Sequence, residues 1–401
     1  MPHNVIIIQR VVPHYRFALF QRLWQEFGWR VATSRRVPDV GPLRFNRLVE
    51  DEHPFIRRYD FEFPSPANPY RCRVPLRRIL EDTRPTGVIS EFSMRMNTTY
   101  ELPLLRRLRG LPTLLFWSHG FNMARGLSSR YQRLMQVPRA TICAMADGHV
   151  CYSDEGRDYL SGFMAPERLF VAPNTLDVET MRADAGKVEP MAAPGRPHIV
   201  TVGRITADKD FPRLVRIFRA LLADHPQAAL TLVGDGPDSE RTRAEAGEEL
   251  GRRIFMPGAV YDESRIAAYY GSADLSVITG AAGLGVNHAL CYGVPMVAYD
   301  RTEQGPHHHP EITYVVDGVT GARVHSYSEE AMLQTLRGFL THYPDPRAAF
   351  AERIDRYVAD HLSLDSMVRE FARVDDFIRS RSHRPQAQAD AAPATASPGG
   401  G

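Results

Sequence analysis

Short aliphatic and β-branched runs recur along the chain, each followed by turn residues and then by apolar side chains at helical spacing. Asn4–Ile8 (NVIII), Arg30–Ala32, Gly87–Ser90 (GVIS), Thr113–Trp117 (TLLFW), His149–Tyr152 (HVCY) and Leu169–Ala172 (LFVA) read as strands of a parallel sheet buried on both faces. After Pro13, the positions Phe17, Leu19, Phe20, Leu23 and Trp24 outline a helix. Residues 34–75 are rich in Pro and Arg and carry no clear period. The theme restarts with His198–Val202 (HIVTV), Ala229–Val233 (ALTLV), Ile254–Met256, Leu275–Ile278 and Pro295–Tyr299, with helices expected around Phe211–Ala223, Ser239–Leu250, Ser264–Tyr270 and from Val286. This strand–helix alternation predicts an α/β fold of two doubly wound domains.

The segment Asp177–Pro197 holds three prolines and two glycines and reads as a linker. The expected organisation is therefore a first domain over 1–177, a linker over 178–197 and a second domain over 198–362. A helix over 363–380, with Leu364, Met367, Phe371, Val374 and Phe377 at helical spacing, is expected to pack back on the first domain. The tail 381–401 has no apolar side chains beyond Ala and Pro and is expected to be disordered. Two domains of this kind place a ligand cleft between the carboxyl ends of their sheets.

Charge changes the picture more than overall composition does. The 401 residues have a formal net charge of only +2, yet residues 1–150 carry 23 Arg against 12 Asp and Glu. A basic front half is thus masked by an acidic remainder. Arg71, Arg73, Arg77 and Arg78, and again Arg106, Arg107 and Arg109, are interleaved with Leu and Val. Such a surface suits anionic lipid headgroups, and is otherwise simply solvated. No aromatic–basic platform or helix-turn-helix pattern points to nucleic acid. The four cysteines form no C-x-x-C pair, which argues against a zinc site or a disulfide framework. No apolar run approaches the roughly 20 residues that span a bilayer. The expected location is the cytoplasm, with contact at the inner membrane face as the peripheral option.

Two stretches carry phosphate-binding chemistry. Val202-Gly203-Arg204 ends a strand, and Lys209 follows at the next helix entrance. A glycine there admits a ligand close to the backbone, and two cations can clamp a diphosphate. Of 49 basic residues only Lys187 and Lys209 are lysines, so a compact ammonium at 209 stands out in an arginine-biased chain. The turn Gly280-Ala281-Ala282-Gly283-Leu284-Gly285-Val286 follows the strand LSVI and enters a helix, an arrangement that offers backbone N–H groups to an anion. His307-His308-His309 cannot easily converge on one metal ion, and no spaced carboxylate or cysteine completes a ligand set. Asn174 and Asp177 lie where the chain passes between domains, as hinge or as ligand contact.

Taken in order, VGRITADKDFPRLVRIFRAL, TLVGDGP, RIFMPGAVYDESRIAAYYGSADLSV, GAAGLGVNHALCYGVPMVAYD and PEITYVVDGVTGARV resemble the nucleotide-sugar-binding domain of GT-B glycosyltransferases of family 4, over about residues 197–325. PHYRFALFQRL, WSHG at 117–120 and APNTLD at 172–177 match more loosely. The resemblance implies two facing Rossmann-like domains, a nucleoside-diphosphate sugar donor and no metal. It further implies retaining transfer to a hydroxyl of a glycan or lipid-linked acceptor. It places Arg204 and Lys209, with Gly203, on the donor diphosphate, and Gly283 and Leu284 in the phosphate turn. His119 matches the family's histidine beside the donor sugar. His14, Tyr15 and Arg16 fall on the acceptor side. The family's two glutamates, seven residues apart, correspond here to Gly280 and His288, and Glu311 is the candidate substitute carboxylate. A non-catalytic nucleotide-sugar-binding protein fits the loss of both glutamates. An epimerase or phosphorylase shares the architecture, although Lys209, the only lysine available to a phosphorylase cofactor in the second domain, matches a donor-phosphate contact instead.

Overall fold

The aliphatic runs assemble into two parallel sheets, each in its own compact unit. The structure is a computed structural model and describes residues 3–36, 48–65, 71–109, 112–120, 130–302 and 305–382. Described residues up to 120, 137–172 and from 368 onward form the first unit, and the remainder form the second.

In the first unit the strands are β1 (Val5–Ile8), β2 (Arg30–Ser34), β3 (Ile56–Tyr59), β4 (Gly87–Glu91), β5 (Thr113–Ser118), β6 (Gly148–Cys151) and β7 (Leu169–Val171). They lie in the order β3-β2-β1-β4-β5-β6-β7, all parallel. The order reverses between β1 and β4, so the carboxyl ends of those two strands form the switch point at which such folds bind ligands. Side chains alternate by period two. Ile6, Ile8, Val88, Leu114 and Phe116 enter one core together with Leu102 and Cys143 of two helices, Thr98–Arg109 and Arg130–Ala144. On the other face Trp29 and Trp117 meet Phe371 edge-to-face at 5.9 and 5.0 Å. Phe371 belongs to the helix Leu364–Ser382, which also accepts a hydrogen bond from Trp29 Nε1 at Asp375 Oδ1 (2.9 Å) and one from Val171 N at Glu370 (2.9 Å). The strand β3 lies inside the stretch 34–75, where the sequence shows no period. It is an edge strand of sequence IRRY, with Arg57 exposed and Arg58 half-buried.

The second unit has β8 (His198–Val202), β9 (Ala229–Val233), β10 (Ile254–Gly258), β11 (Ser276–Ile278), β12 (Met296–Tyr299) and β13 (Gly321–Val324). They form the parallel groups β10-β9-β8 and β11-β12-β13. A bridge between Ile199 and Leu275 joins the groups, with Val200 N donating to Leu275 O at 3.0 Å. The switch point therefore lies between β8 and β11, and the next residues along these strands are Gly203-Arg204 and Thr279-Gly280.

The expected linker 178–197 is corrected. Val178–Ala185 is a helix with Asp177 capping it through Thr180 N (3.1 Å), and Val178 and Met181 are buried. Arg182 Nε donates to Cys291 O (2.8 Å) and Met191 N to Ala268 O (3.1 Å), so the segment is part of the second unit. The division in the chain comes earlier, between Ala172 and Pro173. The capping aspartate and the buried Val and Met outweigh the local Pro and Gly content. The tail beyond residue 382 lies outside the described residues. No helix among the described residues is long and apolar enough to cross a membrane.

Candidate active site

Beyond β8, Gly203 N donates to Val233 O (2.9 Å) and Ile205 N to Asp235 O (3.0 Å), which pins the loop that carries Arg204. The pinning requires Gly234, where a Cβ would run into the carbonyl of Gly203. The one-turn helix Ala207–Lys209 follows, and Asp210, at φ 47°, swings the chain into the helix Phe211–Leu221.

This turn is stitched to the segment after β11. Thr279 Oγ1 donates to Asp210 O (2.8 Å), Ala281 N to Asp208 O (2.7 Å), and the Lys209 ammonium to Ala281 O. Gly280 lies directly beneath the Lys209 carbonyl, so its side-chain direction is filled by backbone. Gly203 and Gly283 differ: a Cβ at Gly203 would meet nothing within 4 Å, and at Gly283 its nearest neighbour would be Lys209 Nζ at 3.5 Å. The ammonium therefore lies against the glycine turn, beside Gly283. Burial pulls its pKa below the ordinary lysine value and Arg204 adds to this, while Asp208 and Glu311 oppose. Leu284 precedes the short helix Gly285–Cys291 and accepts from His288 N (3.0 Å).

Around Lys209 the unit holds a dry polar layer. Glu311, 3% exposed in the turn Pro310–Tyr314, accepts from Asn174 Nδ2 at 3.1 Å. Asn174 O accepts from Asn287 Nδ2 (2.9 Å) and from Tyr314 OH (3.4 Å). Glu311 Oε2, Asn174 Oδ1 and Asn287 Oδ1 stay buried without a hydrogen-bond partner. Each such acceptor costs about 1–3 kcal/mol unless a ligand supplies a donor. Asn287 is not legible as a site residue; its only signal is an amide beside His288 on a short helix that is otherwise apolar, GVNHALC. The three histidines diverge. His307 is exposed, while His308 is fully buried, its Nδ1 accepting from Ala282 N (2.9 Å). Burial first, then Arg301 and Lys209, press the His308 pKa down to about 3. Among the described residues, no group of three His, Cys, Asp or Glu is placed to hold a metal ion.

His288 Nε2 lies 3.5 Å from Glu263 Oε1, which also accepts from Tyr292 OH at 2.6 Å. Glu263 opens the helix Glu263–Gly271 and reads in sequence as an ordinary first-turn charge. The structure sets its carboxylate beside His288.

In the first unit the carboxyl ends of the strands gather a second polar group. Glu91, at the end of β4, accepts from Arg10 N (3.2 Å) and Arg10 Nε (3.0 Å). Burial favours its neutral form, but Arg10 outweighs burial and its pKa is lowered. The Arg16 guanidinium donates to Tyr152 OH and to Gln9 Oε1 (3.2 Å) and lies 4.8 Å from the Trp117 ring. The Tyr152 ring lies tilted against His119, centroids 4.8 Å apart, and burial pushes the Tyr152 phenol up to about 12. His119 is held in place by its backbone: a Cβ on Gly156 would fall on the His119 carbonyl. Of the three acceptor-side candidates, Arg16 is turned inward onto these groups, His14 is exposed and Tyr15 is half-buried.

The sequence pattern of the family described as "Glycosyl transferases group 1" matches residues 187–360, the span that carries Arg204, Lys209 and the glycine turn. Over that span the chain resembles this family. Relatives of the chain include the GDP-mannose-dependent alpha-(1-6)-phosphatidylinositol dimannoside mannosyltransferase of Mycobacterium tuberculosis, 27% identical over 239 residues, 57% of this chain and 61% of that protein. The alpha-monoglucosyldiacylglycerol synthase of Streptococcus pneumoniae is 23% identical over 189 residues, 44% of this chain and 42% of that protein. The match thus spans about three fifths, or less, of these relatives' length. Among solved structures, sucrose-phosphate synthase from Thermosynechococcus elongatus aligns with a TM-score of 0.67 at 17% identity, over 94% of this chain and 100% of that one. Anabaena HepE in complex with UDP aligns with a TM-score of 0.65 at 14% identity, over 93% and 99%. These likenesses show the fold, which is GT-B.

Proposed function

We propose that the protein moves a sugar from a nucleoside-diphosphate donor to a hydroxyl of a lipid-linked or glycan acceptor, with retention and without a metal. The observation that carries this reading is the Lys209 ammonium held against the glycine turn by Ala281 O, with Arg204 electrostatically coupled to it. Fixed cations there stabilise the charge that develops on a diphosphate leaving group. Gly203, Gly283 and Leu284 shape the phosphate turn, and Gly280 acts through Lys209. Glu311, Asn174 and Asn287, with acceptors left over in the dry, take the donor-sugar hydroxyls. His288 meets a ribose hydroxyl at Nδ1 while its Nε2 faces Glu263. His119 orients the sugar, and His14 and Tyr15 meet the acceptor, with Arg16 bracing them. In the transfer step the bond from the anomeric carbon to the phosphate oxygen breaks and the bond to the acceptor oxygen forms. The acceptor proton passes to the leaving phosphate, so no protein base is required. The lipid acceptors in both relatives' names favour a lipid-linked one here, which suits a peripheral position at a membrane.

The test is a calorimetric and thermal-shift panel of UDP, GDP and ADP with their hexose derivatives, GDP-mannose first. One nucleotide sugar is expected to bind and to support transfer. Glu311→Gln and His119→Ala are each expected to lower kcat by about 100-fold or more while nucleoside-diphosphate affinity stays within about twofold. Binding without transfer to any acceptor by the wild type would move the reading to a non-catalytic nucleotide-sugar-binding protein, and a panel without binding would end both.

A further inference from the structure

The run His307-His308-His309 ends at Pro310, and the backbone at His309 is extended, with φ −73° and ψ 174°. Successive side chains of an extended chain point to opposite sides. His308 turns inward, where its Nδ1 accepts from Ala282 N at 2.9 Å, and His309 turns outward and is exposed. The main chain of His309 is fastened at both its polar groups. His309 N donates to Ala282 O at 3.2 Å, and the Arg301 guanidinium donates to His309 O at 3.2 Å. Ala282 thus ties both histidines to the glycine turn, and the His309 ring projects from a fixed backbone.

The ring meets the same glycine as the lysine. A Cβ on Gly283 would lie 3.5 Å from Lys209 Nζ and 3.9 Å from His309 Cδ2. With glycine there, an ammonium and an imidazole flank the spot where a larger residue's side chain would begin. Cδ2 is bonded to Nε2, so the ring edge toward the turn carries a nitrogen. Although the residue reaches solvent, burial of the ring pulls its pKa below the ordinary histidine value; Glu311 and Asp208 oppose this, while Lys209 and Arg301 add to it. At neutral pH the ring is uncharged. It can give one N–H to an anion without setting a further positive charge beside Lys209.

We propose that His309 is a further donor-contacting residue, whose ring N–H donates to the sugar-bearing phosphate of the nucleoside-diphosphate donor at Gly283. The inference rests on the proposed placing of the diphosphate at Lys209, and adds to it a second side chain on the leaving group. As the bond to the anomeric carbon breaks, negative charge grows on that phosphate and the hydrogen bond from His309 strengthens. His309 therefore contributes more to the transfer step than to binding of the donor.

The test is calorimetry and initial-rate measurement on the full chain for His309→Ala, His309→Gln and His307→Ala, beside Lys209→Met. UDP, GDP and ADP are titrated in parallel with UMP, GMP and AMP, which lack the second phosphate. His309→Ala is expected to weaken diphosphate binding by about 10-fold, to leave monophosphate binding within about twofold, and to lower kcat by about 30-fold or more. His309→Gln keeps an N–H donor and is expected to recover part of each loss. His307→Ala changes the exposed neighbouring ring and is expected to match the wild type. Both positions are exposed, so the variants should fold, and an unchanged Tm checks this. Wild-type diphosphate affinity and kcat in His309→Ala, with the loss in Lys209→Met intact, would overturn the His309 contact and leave the donor site standing. Equal losses for mono- and diphosphates, or the same losses in His307→Ala, would trace the effect to the shape of the loop and overturn it too. Wild-type diphosphate affinity in both Lys209→Met and His309→Ala would instead defeat the diphosphate reading itself.

Discussion

Lys209→Met is expected to weaken nucleoside-diphosphate binding by about 10–100-fold while leaving the free protein as stable as the wild type, or slightly more so. The two halves of this result have one cause. In the free protein the ammonium is buried, with one backbone carbonyl as its hydrogen-bond acceptor, and burial holds its pKa below the ordinary lysine value. Its charge is thus a cost to the apo fold, which methionine removes at similar volume. A diphosphate repays that cost with charge-assisted hydrogen bonds of about 1.5–3 kcal/mol, or one to two orders of magnitude in Kd. The sign of the pH dependence follows. Binding needs the protonated form and raises its pKa, so affinity should fall as pH rises through the depressed value, below the ordinary 10.5, with proton uptake on binding in that window. Lys209→Met should lose the proton uptake as well as the affinity. Lys209→Arg should not restore binding, because a planar guanidinium cannot replace a compact ammonium 3.5 Å from the Gly283 Cβ position. Calorimetry in two buffers of different ionisation enthalpy measures affinity and proton uptake together. Wild-type affinity in Lys209→Met would remove the lysine from the diphosphate site.

What the sequence shows and what it hides divide along physical lines. Strands buried on both faces must be apolar at every position, so NVIII, TLLFW, HIVTV and ALTLV are visible as runs, and the doubly wound alternation with them. The edge strand β3 has an open side, and its IRRY carries no such mark. The helix Val178–Ala185 is short and flanked by Pro and Gly, so its capping aspartate is easily missed. Within the site, Gly203, Arg204, Lys209 and Gly283 are legible because each sits at a strand end or turn where local chemistry is restricted. Glu263 beside His288, and Asn174 and Asn287 beside Glu311, are partners 25 to 137 residues apart in the chain, brought together by the sheet order alone. No local period encodes such a meeting. Arg16 shows the converse: its position at a strand end suggests ligand contact, while Tyr152, 136 residues away, draws it inward.

Restoring a side chain at position 280 is expected to damage both fold and site. The family resemblance sets a glutamate there, yet a Cβ on Gly280 would land on the backbone of Asp208 and Lys209, which cannot rotate aside as a side chain can. The turn would have to lift away, breaking Ala281 N to Asp208 O, Thr279 Oγ1 to Asp210 O and the Lys209 bond to Ala281 O. Three hydrogen bonds at about 1 kcal/mol each, plus the strain of overpacking, put the cost of Gly280→Ala at about 3–4 kcal/mol. For a unit of this size that is a fall of roughly 10 °C in its Tm. Gly280→Glu should be no better, although it restores the family residue. Gly338→Ala is the control: a Cβ there would meet nothing within 4 Å, inside the helix Glu329–His342, and alanine should leave Tm unchanged or raise it. Donor affinity should fall with Tm in the position-280 variants, since a lifted turn carries Lys209 away from the glycine turn. If Gly280→Glu instead kept the wild-type Tm and bound the donor as well or better, the close approach would not exist in solution. The contact that excludes a side chain at position 280 is the one that holds the Lys209 turn in place. The carboxylate work on the sugar then has to come from elsewhere in the unit, and Glu311, buried with one oxygen unpartnered and electrostatically coupled to Lys209, is placed for it.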